Sequence, residues 1–361
     1  MIHWRIWGRV LDAGMLKLLA GFKIAMMLVA CVIAICVAVS FLTDSWIGDL
    51  LSQLRLVWGW LLLPILLVFV CLRMVLPLCL LSLVFLVNTA PVLLMYLPLE
   101  NTLTESLKDS SIETLNDSSR DSSFPSAPRV SGGKPKVISL LNYNTEFQHN
   151  NNYKSFEALL RQHQPDLLVL TEVDSTWLTA ISDATKVFPY SKTVIAGAGL
   201  AMFSKYPIGK SEVRYFGKSH HPRIFAQLTF PTYKLNLVLV HPPTPQEEAR
   251  FLERNQELSL IASEIKELSG PTILVGDFNC GPWSKPFAEL LKSDLKDSEQ
   301  GFGPQPSWPA RVGRVVERLA VPPIVPIDHV LVSRDIKVLC RTAGPAIGAD
   351  HLPVFVKLTT D

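Results

Sequence analysis

The sequence predicts an α/β domain that follows an α-helical membrane region, and two observations carry this prediction. Long apolar runs without charge lie almost entirely before residue 100. After residue 136, short apolar runs of strand length alternate with amphipathic segments of helical spacing, which is the pattern of an α/β fold. The chain has 361 residues and is 48% hydrophobic, which is too apolar for an ordinary soluble protein of this length.

Charge and cysteine content narrow the function very little. The net charge of +2 at pH 7 indicates no particular class of partner. Cys280 and Cys340 are the two cysteines outside the apolar region. Two cysteines form neither a disulfide framework nor a zinc-binding spacing, so the redox compartment stays open.

Three uncharged runs predict three transmembrane helices. Residues 24–42 are nineteen residues without a charge, about the length that spans a hydrocarbon core. Residues 56–72 and 74–99 are separated by Arg73 alone and together are too long for one crossing. We therefore expect two helices that fold back on each other around Arg73 and Pro77. A signal peptide is the competing interpretation of the first run, but its length and the apolar sequence that follows favour an anchor.

The basic residues predict the orientation of these helices. The segment before the first run contains a single acid, Asp12, and four basic residues, namely Arg5, Arg9, Lys17 and Lys23. Short segments rich in Lys and Arg stay in the cytoplasm. The N-terminus is therefore expected on the cytoplasmic side, and the protein is expected in the cell inner membrane. Three crossings then place the rest of the chain outside the cytoplasm, whereas two would place it inside.

The region after the helices divides into a linker and a globular domain. Residues 100–136 are rich in Ser, Asp, Pro and Gly and predict a flexible linker. The predicted organisation is therefore a membrane region at residues 1–99, this linker, and a catalytic domain at residues 137–361.

Polar side chains stand at the ends of the predicted strands. The run at residues 271–279 reads as a buried strand that ends in Asp277 and Asn279, which point to the same side of an extended chain. The other predicted strand ends carry Asn144, Glu172, His241, Asp328, Asp350 and His351. A packed sheet would bring these ends together, where the carboxylates would repel one another unless a cation were present. Oxygen donors such as Glu172 and Asp350 suit a hard divalent ion, Mg²⁺ or Mn²⁺.

In this order the motifs resemble the endonuclease/exonuclease/phosphatase superfamily, the deoxyribonuclease-I-like phosphodiesterases. The resemblance covers residues 137–361 and rests on Asn144, Pro165-Asp-Leu-Leu-Val-Leu-Thr-Glu172, His241, Gly276-Asp-Phe-Asn279, Ile327-Asp-His-Val330 and Gly348-Ala-Asp-His351. Residues 282–287 and 306–309 also resemble the bacterial membrane-anchored members. The chain departs from the family at Ala349, where a serine is usual.

The resemblance implies a four-layer α/β/β/α sandwich that hydrolyses a phosphate ester with a divalent metal. It makes Glu172 the main metal ligand, with Asn144 and Asp350 holding the ion directly or through water. This metal is expected to be Mg²⁺ or Mn²⁺.

The resemblance also implies the catalytic roles. His351 would act as a general base or as a transition-state donor, oriented by Asp328. Asp277 would position or deprotonate the attacking water, and Asn279 and His241 would donate to the nonbridging phosphate oxygens. In-line attack on a phosphodiester needs such groups in any fold.

Three functions remain open on the sequence alone. The leading one is a membrane-anchored, metal-dependent phosphodiesterase that acts as a nuclease, with nucleic acid and the lipid bilayer as partners. The alternatives are a phospholipid or phosphoinositide phosphoesterase of the same fold and a catalytically silent, membrane-tethered binding protein. A nucleic-acid groove should carry clustered basic residues, and the best candidate is the modest set of Arg311, Arg314 and Arg318 after Trp308. The silent protein would have lost a motif residue, and none of the set is missing.

Four residues near these motifs have simpler interpretations. His329 alternates to the side of its strand opposite Asp328 and is expected to be structural. His220, His221 and Arg223 are expected in a solvated loop before a strand.

Overall fold

A computed structural model describes residues 2–98, 137–197, 199–218, 220–312 and 319–360, with helical side chains from residue 15 onward. The predicted linker at residues 100–136 lies outside the described residues, as do Arg314 and Arg318. The chain divides into two compact units, Met1–Val92 and Leu93–Asp361. The predicted boundaries at residues 99 and 136 stay predictions.

The N-terminal unit is helical throughout. Its helices are α1 (Ile2–Leu42), α2 (Trp46–Gln53), α3 (Arg55–Cys71) and α4 (Val75–Leu94), of which α4 ends beyond the unit. Among the described residues, Met15–Leu42 and Val75–Leu94 are long and apolar enough to cross a membrane. Helices α2 and α3 are bent by 66° and supply a third span if the pair is counted as one.

The turn between α3 and α4 lies at the predicted residue. Arg73 has a φ of 53°, a left-handed conformation that ends one helix and redirects the chain into the next. Pro77 lies inside the first turn of α4, where a missing backbone N–H costs no helical hydrogen bond. The break therefore lies at Arg73, and Pro77, which has no N–H to donate to the Arg73 carbonyl four residues earlier, is compatible with it.

The second unit contains two six-stranded mixed sheets and a short hairpin. Sheet 1 has the order β13-β14-β1-β2-β4-β3, sheet 2 has the order β5-β6-β7-β8-β12-β9, and β10 pairs with β11. The strands are β1 (Val137–Asn144), β2 (Leu167–Thr171), β3 (Tyr190–Val194), β4 (Leu200–Ser204), β5 (Ile208–Phe216), β6 (His221–Thr229), β7 (Lys234–Val240), β8 (Thr272–Asp277), β9 (Leu295–Asp297), β10 (Arg311–Val312), β11 (Leu319–Ala320), β12 (Asp328–Ser333), β13 (Ile336–Ala343) and β14 (Val354–Thr360).

Helices cover the outer faces of the sheets. The helices are α5 (Tyr153–His163), α6 (Ser175–Ala180), α7 (Ser182–Thr185), α8 (Glu248–Lys266) and α9 (Lys285–Leu291). Phe156 and Trp177 pack on sheet 1, and Leu258 and Phe287 pack on sheet 2. Between the sheets lies an apolar layer that includes Leu140, Val169, Leu239, Val275 and Val330. The structure thus confirms the predicted α/β/β/α sandwich.

Strand pairing brings the predicted site residues to one edge of the sandwich. Strands β1 and β2 run parallel, as do β7 and β8, so the carboxyl ends of each pair lie together. Strand β12 runs antiparallel to β8 and places Asp328 opposite Asp277. The two sheets meet near this edge, where Asn142 Nδ2 donates to Gly276 O at 3.3 Å.

The predicted loop around His221 is a strand instead. Strand β6 begins at His221, and Arg223 is only 2% exposed, with Nη2 lying 3.6 Å from Glu264 Oε1. The solvated-loop prediction is therefore wrong for these two residues. Arg223 is buried against Glu264, an acid of α8 that lies far away in the sequence.

Candidate active site

Both sheets contribute to a cluster around the Asn144 amide. Its Nδ2 donates to Glu172 Oε1 at 3.1 Å and to Asp277 Oδ2 at 3.0 Å. Asn144 and Glu172 belong to the ends of β1 and β2 in sheet 1, whereas Asp277 ends β8 in sheet 2. The structure therefore brings these three predicted site residues together.

The backbone at these strand ends is unusual. Glu172 has a φ of 56° and Asn279 a φ of 51°, both in the left-handed region that residues other than glycine rarely adopt. Gly276 has a φ of 145°, and a Cβ there would lie 1.9 Å from Val240 O on the adjacent parallel strand. Strained backbone of this kind concentrates at functional sites, where the surrounding structure holds it in place.

Asp328 holds His351 from one side. The Nδ1–H of His351 donates to Asp328 Oδ2 at 2.7 Å, and both residues are buried. His351 Nε2 lies 3.7 Å from Asp277 Oδ2 and 3.4 Å from Asn144 Nδ2. Burial opposes the charging of His351, but Asp328 and Asp277 outweigh it and raise the pKa of the imidazole well above its usual value.

His241 lies against the same carboxylates. Its Nε2 is 3.4 Å from Asp277 Oδ2 and 3.6 Å from Glu172 Oε1. Burial works against protonation, yet these acids raise the pKa of His241 above its usual value. Burial likewise opposes ionisation of Asp277, but the charges of His351 and His241 lower its pKa to about 2. Asp277 is thus a carboxylate between two histidines that favour the charged form.

Asp350 stands at the rim of the cluster. Its Oδ2 accepts from Trp308 Nε1 at 3.0 Å, and its Oδ1 lies 4.0 Å from His351 Nε2. The backbone N–H of Asp350 donates to Glu146 Oε2 at 3.1 Å, and Glu146 forms an ion pair with Arg311. Asp350 therefore reaches the site edge while its backbone is held by a second acid.

Asn279 differs from its expected orientation. Its side-chain Nδ2 donates to Pro242 O at 3.0 Å, and its backbone N–H donates to Asp277 Oδ1 at 2.8 Å. The expectation that Asp277 and Asn279 share one side of an extended chain is wrong, because β8 ends at Asp277 and Asn279 has a left-handed φ. The carbonyl of Asn279 accepts from the buried Arg254 Nη1 at 2.7 Å.

His329 lies away from this cluster, as expected for a structural histidine. Its Nε2 is 2.9 Å from Cys280 O, and its ring packs 4.5 Å from that of Phe287, centroid to centroid. Burial lowers the pKa of His329 to about 4, so the ring is neutral.

The donor set at the edge fits a divalent cation. One oxygen or nitrogen from each of Glu172, His241 and Asp277 can lie within 4.8 Å of the others, and the same holds for Asp277, Asp328 and His351. Two carboxylates that face one buried space are stabilised by a hard cation among oxygen donors. Asn144 presents its amide nitrogen to these acids, while its Oδ1 accepts from Glu146 N. A half-turn of the amide exchanges the two atoms.

Several residues that support the site have no recognisable motif in the sequence. Glu146 and Arg341 carry no motif, although Glu146 holds the Asp350 backbone and Arg341 Nη2 donates to Asp328 O at 2.9 Å. Arg254 lies on an amphipathic helix, and its side chain is buried where Nη1 donates to the Asn279 carbonyl. Trp308 is the exception, because it lies in the segment at residues 306–309 that resembles the bacterial membrane-anchored members of the family.

Comparisons with known proteins agree with this geometry. The profile of the Endonuclease/Exonuclease/phosphatase family matches residues 141–351, which is more than half of the chain. The "UPF0294 protein VP2298" of Vibrio parahaemolyticus is 25% identical over 235 residues, covering 62% of this chain and 78% of that protein.

Solved structures share the fold at low identity. TDP2 of D. rerio, in complex with a single-strand DNA product, is 17% identical with a TM-score of 0.51, covering 62% of this chain and 99% of that one. A functionally unknown conserved protein from Enterococcus faecalis V583 is 14% identical with a TM-score of 0.52, covering 62% and 100%. The second unit thus shares its fold with these two proteins, and the chain belongs to the endonuclease/exonuclease/phosphatase family.

Proposed function

We propose that this chain is a divalent-metal-dependent phosphodiesterase, anchored to a membrane by its N-terminal helices, with nucleic acid as its substrate. One observation carries the proposal. Two histidines, each against Asp277, converge on the space that the Glu172 carboxylate also faces. That space offers carboxylate oxygens for a cation and imidazole donors for a phosphate, which are the two needs of phosphoryl transfer.

Glu172 is the side chain that would hold the metal, and Asn144 and Asp350 would hold it directly or through water. The predicted ion is Mg²⁺ or Mn²⁺, because the donors are mainly carboxylate and amide oxygens. When bound, such an ion supplies Lewis-acid stabilisation of the charge that develops on the phosphate oxygens.

The protein residues supply the remaining functions. Asp277 is ionised, so it can accept a hydrogen bond from the attacking water and hold that water in line. His351 carries a proton on each ring nitrogen in its charged form, with Nδ1–H bound to Asp328 and Nε2–H directed to the site. This state favours a donor to a phosphate oxygen over a general base. His241 offers a second donor, whereas Asn279 would have to release Pro242 O to offer a third.

Two observations favour nucleic acid as the substrate. TDP2 of D. rerio, which shares the fold, was solved with a single-strand DNA product. Two exposed aromatic residues contact predicted metal ligands, since the backbone N–H of Phe147 donates to Glu172 Oε2 and the Trp308 Nε1–H donates to Asp350 Oδ2. Phe147 is 37% exposed and Trp308 is 36% exposed, and exposed rings of this kind stack with bases.

The proposal is tested with the full chain in detergent micelles or lipid nanodiscs. Hydrolysis is measured on single-stranded DNA, duplex DNA, RNA and phospholipid, each with Mg²⁺, with Mn²⁺ and with EDTA. We expect cleavage of nucleic acid that requires the metal. Cleavage of phospholipid alone would replace the substrate class, and a folded protein that cleaves none of these would favour the silent binding protein.

A single substitution tests the metal-binding role. Glu172→Gln keeps the size of the side chain but removes its charge, so we expect the Mg²⁺ concentration for half-maximal activity to rise about tenfold or more. The matched control is Glu212→Gln, whose carboxylate lies half-exposed on β5 and pairs with Arg214. A Glu172→Gln protein with the same Mg²⁺ titration as this control would contradict the role.

A further inference from the structure

Behind the site, Arg341 and Glu299 form a completely buried ion pair. Their Nη1 and Oε1 atoms are 2.9 Å apart, and both side chains are 0% exposed. Such a pair is weak evidence for stability, because the loss of water around both charges offsets their mutual attraction. The guanidinium also binds the backbone of Asp328, and this contact indicates a role other than stabilising the fold.

A β-bulge turns Arg341 into the space between the sheets. Along β13, Val338 pairs with Leu358 and Cys340 with Lys357, so Leu339 is the extra residue. Residues 338, 340 and 342 would share a face in a regular strand. The bulge shifts this alternation by one and places Arg341 opposite Val356, on the face that Val338 turns to the other sheet. Bulges near active sites commonly redirect a side chain in this way.

The guanidinium binds groups from separate parts of the fold. Its Nη2 donates to Asp328 O at 2.9 Å, and its Nε donates to Ser298 Oγ at 3.0 Å. Its Nη1 donates to Glu299 Oε1 at 2.9 Å and to Gln305 Oε1 at 3.0 Å. Arg341 thus joins β13 of sheet 1 to the first residue of β12 in sheet 2.

The Asp328 carbonyl needs a partner at this point because its neighbouring strand has ended. Strand β9 pairs with β12 only from Leu331 to Ser333. The other neighbour, β8, lies on the opposite side of β12. The Arg341 guanidinium therefore supplies the hydrogen bond that β9 does not reach far enough to give.

We propose that Arg341 is a positioning residue, which holds the Asp328 backbone so that the Asp328 carboxylate keeps His351 in its working orientation. Asp328 makes both contacts, with its carbonyl bound to Arg341 Nη2 and its Oδ2 bound to His351 Nδ1. This inference rests on the proposed function, since positioning affects turnover only if His351 takes part in the reaction. The state of the Asp328–His351 hydrogen bond can be measured without any turnover.

Two substitutions of Arg341 separate its donors from its charge. Arg341→Met removes every donor at similar length, and Arg341→Lys keeps a charge but lacks the planar fork that holds Asp328 O and Glu299 together. For both we expect kcat to fall about tenfold or more with KM changed less than about threefold, because Asp328 orients His351 without binding the phosphate. The control is Ile336→Ala, which opens a cavity at the distant end of β13 and touches neither Asp328 nor His351.

A spectroscopic measurement on the same proteins reads the hydrogen bond directly. The chain is labelled with ¹⁵N at histidine, and the His351 Nδ1–H resonance is identified by its absence in His351→Ala. We expect this resonance to be shifted or lost in both Arg341 variants and retained in Ile336→Ala.

Each outcome decides the inference. An unchanged resonance and unchanged kcat in Arg341→Met would overturn it, and so would an equal loss in Ile336→Ala, which would mark a general effect of destabilisation. If Arg341→Met does not fold, Arg341→Lys decides by the same two readouts. A wild-type protein without phosphodiesterase activity would refute the proposed function, while the resonance would still show whether Arg341 positions Asp328.

Discussion

The Asp328–His351 hydrogen bond sets the protonation of the histidine in this site. Asp328 is 0% exposed and His351 is 4% exposed, so no bulk water competes for the bond of 2.7 Å. A charged hydrogen bond in such surroundings is about twice as strong as a neutral one. The carboxylate therefore fixes both the orientation of the ring and the proton on Nδ1.

We predict that Asp328→Asn lowers kcat about a hundredfold while KM changes little. The amide keeps the shape of the side chain but has no charge to stabilise the imidazolium, so His351 loses both its preferred orientation and its donor state. Steady-state kinetics of the full chain measures the effect. Asp183→Asn is the control, because this carboxylate is 86% exposed and pairs with Lys186. A value of kcat within twofold of that control would remove Asp328 from the mechanism.

The candidate site residues could be picked out in the sequence as polar groups at strand ends, but their orientation could not be predicted. Asp277, Glu172 and Asn144 were predictable because each stands where an apolar strand ends. The left-handed φ angles of Glu172 and Asn279 have no signature in strand alternation, and they decide where these side chains point. Arg341 could not be found at all, since the bulge at Leu339 that turns it inward leaves no pattern in the sequence.

At the scale of the elements, the central strands of each sheet could be predicted from the sequence, whereas the edge strands could not. Strands β1, β2, β7 and β8 bury both faces and read as apolar runs. The strands at the four sheet edges, β3, β5, β9 and β13, were not predicted. Their burial patterns are mixed, because an edge strand contacts a neighbour on one side only and carries polar residues that discourage further pairing.

Helix α8 is amphipathic, but its buried face also contains charged residue types. Its inward face carries Arg254 and Glu257, which are both 0% exposed, beside apolar residues such as Leu258. Burial raises the pKa of Glu257 to about 8, and the nearby charge of Arg223 lowers it only in part. The helix therefore packs an acid against sheet 2 that is neutral over most of the ordinary pH range.

This burial predicts a dependence of stability on pH. The pKa of Glu257 is raised from 4.5 to about 8 on folding, so the unfolded chain loses this proton first as the pH rises. The free energy of unfolding should then fall between about pH 4.5 and pH 8, at roughly 1.4 kcal/mol per pH unit at most. Glu257→Gln mimics the protonated acid, so we expect its apparent Tm to exceed that of the wild type at pH 8 and to match it at pH 5.

Thermal unfolding of the full chain at both pH values measures this difference. Glu267→Gln is the matched control, since this acid follows α8 and is exposed to solvent. If Glu257→Gln and Glu267→Gln shift the apparent Tm equally at pH 8, Glu257 is not protonated in the folded protein.

For the whole molecule, the proposed membrane topology depends on whether the bent pair of helices, α2 and α3, crosses the membrane. Arg55, at the start of α3, is only 2% exposed and lies with its guanidinium 4.0 Å from the ring of Phe41. Its charge is thus enclosed within the N-terminal unit. We therefore do not count Arg55 among the loop charges that set the orientation of the helices. Arg73 remains as the basic residue of the α3–α4 turn, and basic turns stay in the cytoplasm. If the bent pair crosses once, Arg73 and the basic N-terminus share the cytoplasmic side.

We predict this arrangement to appear in reporter fusions placed after Asp44, Arg73 and Asp361. Alkaline phosphatase, which is active only outside the cytoplasm, should report after Asp44 and Asp361, and green fluorescent protein, which matures in the cytoplasm, should report after Arg73. Three crossings alternate the sides in this order, beginning from the inside N-terminus that the basic residues before the first uncharged run favour. Phosphatase activity after both Asp44 and Arg73, with fluorescence after Asp361, would show that the bent pair does not cross. The second unit would then face the cytoplasm, and the proposed nucleic-acid substrates would be those of the cell interior.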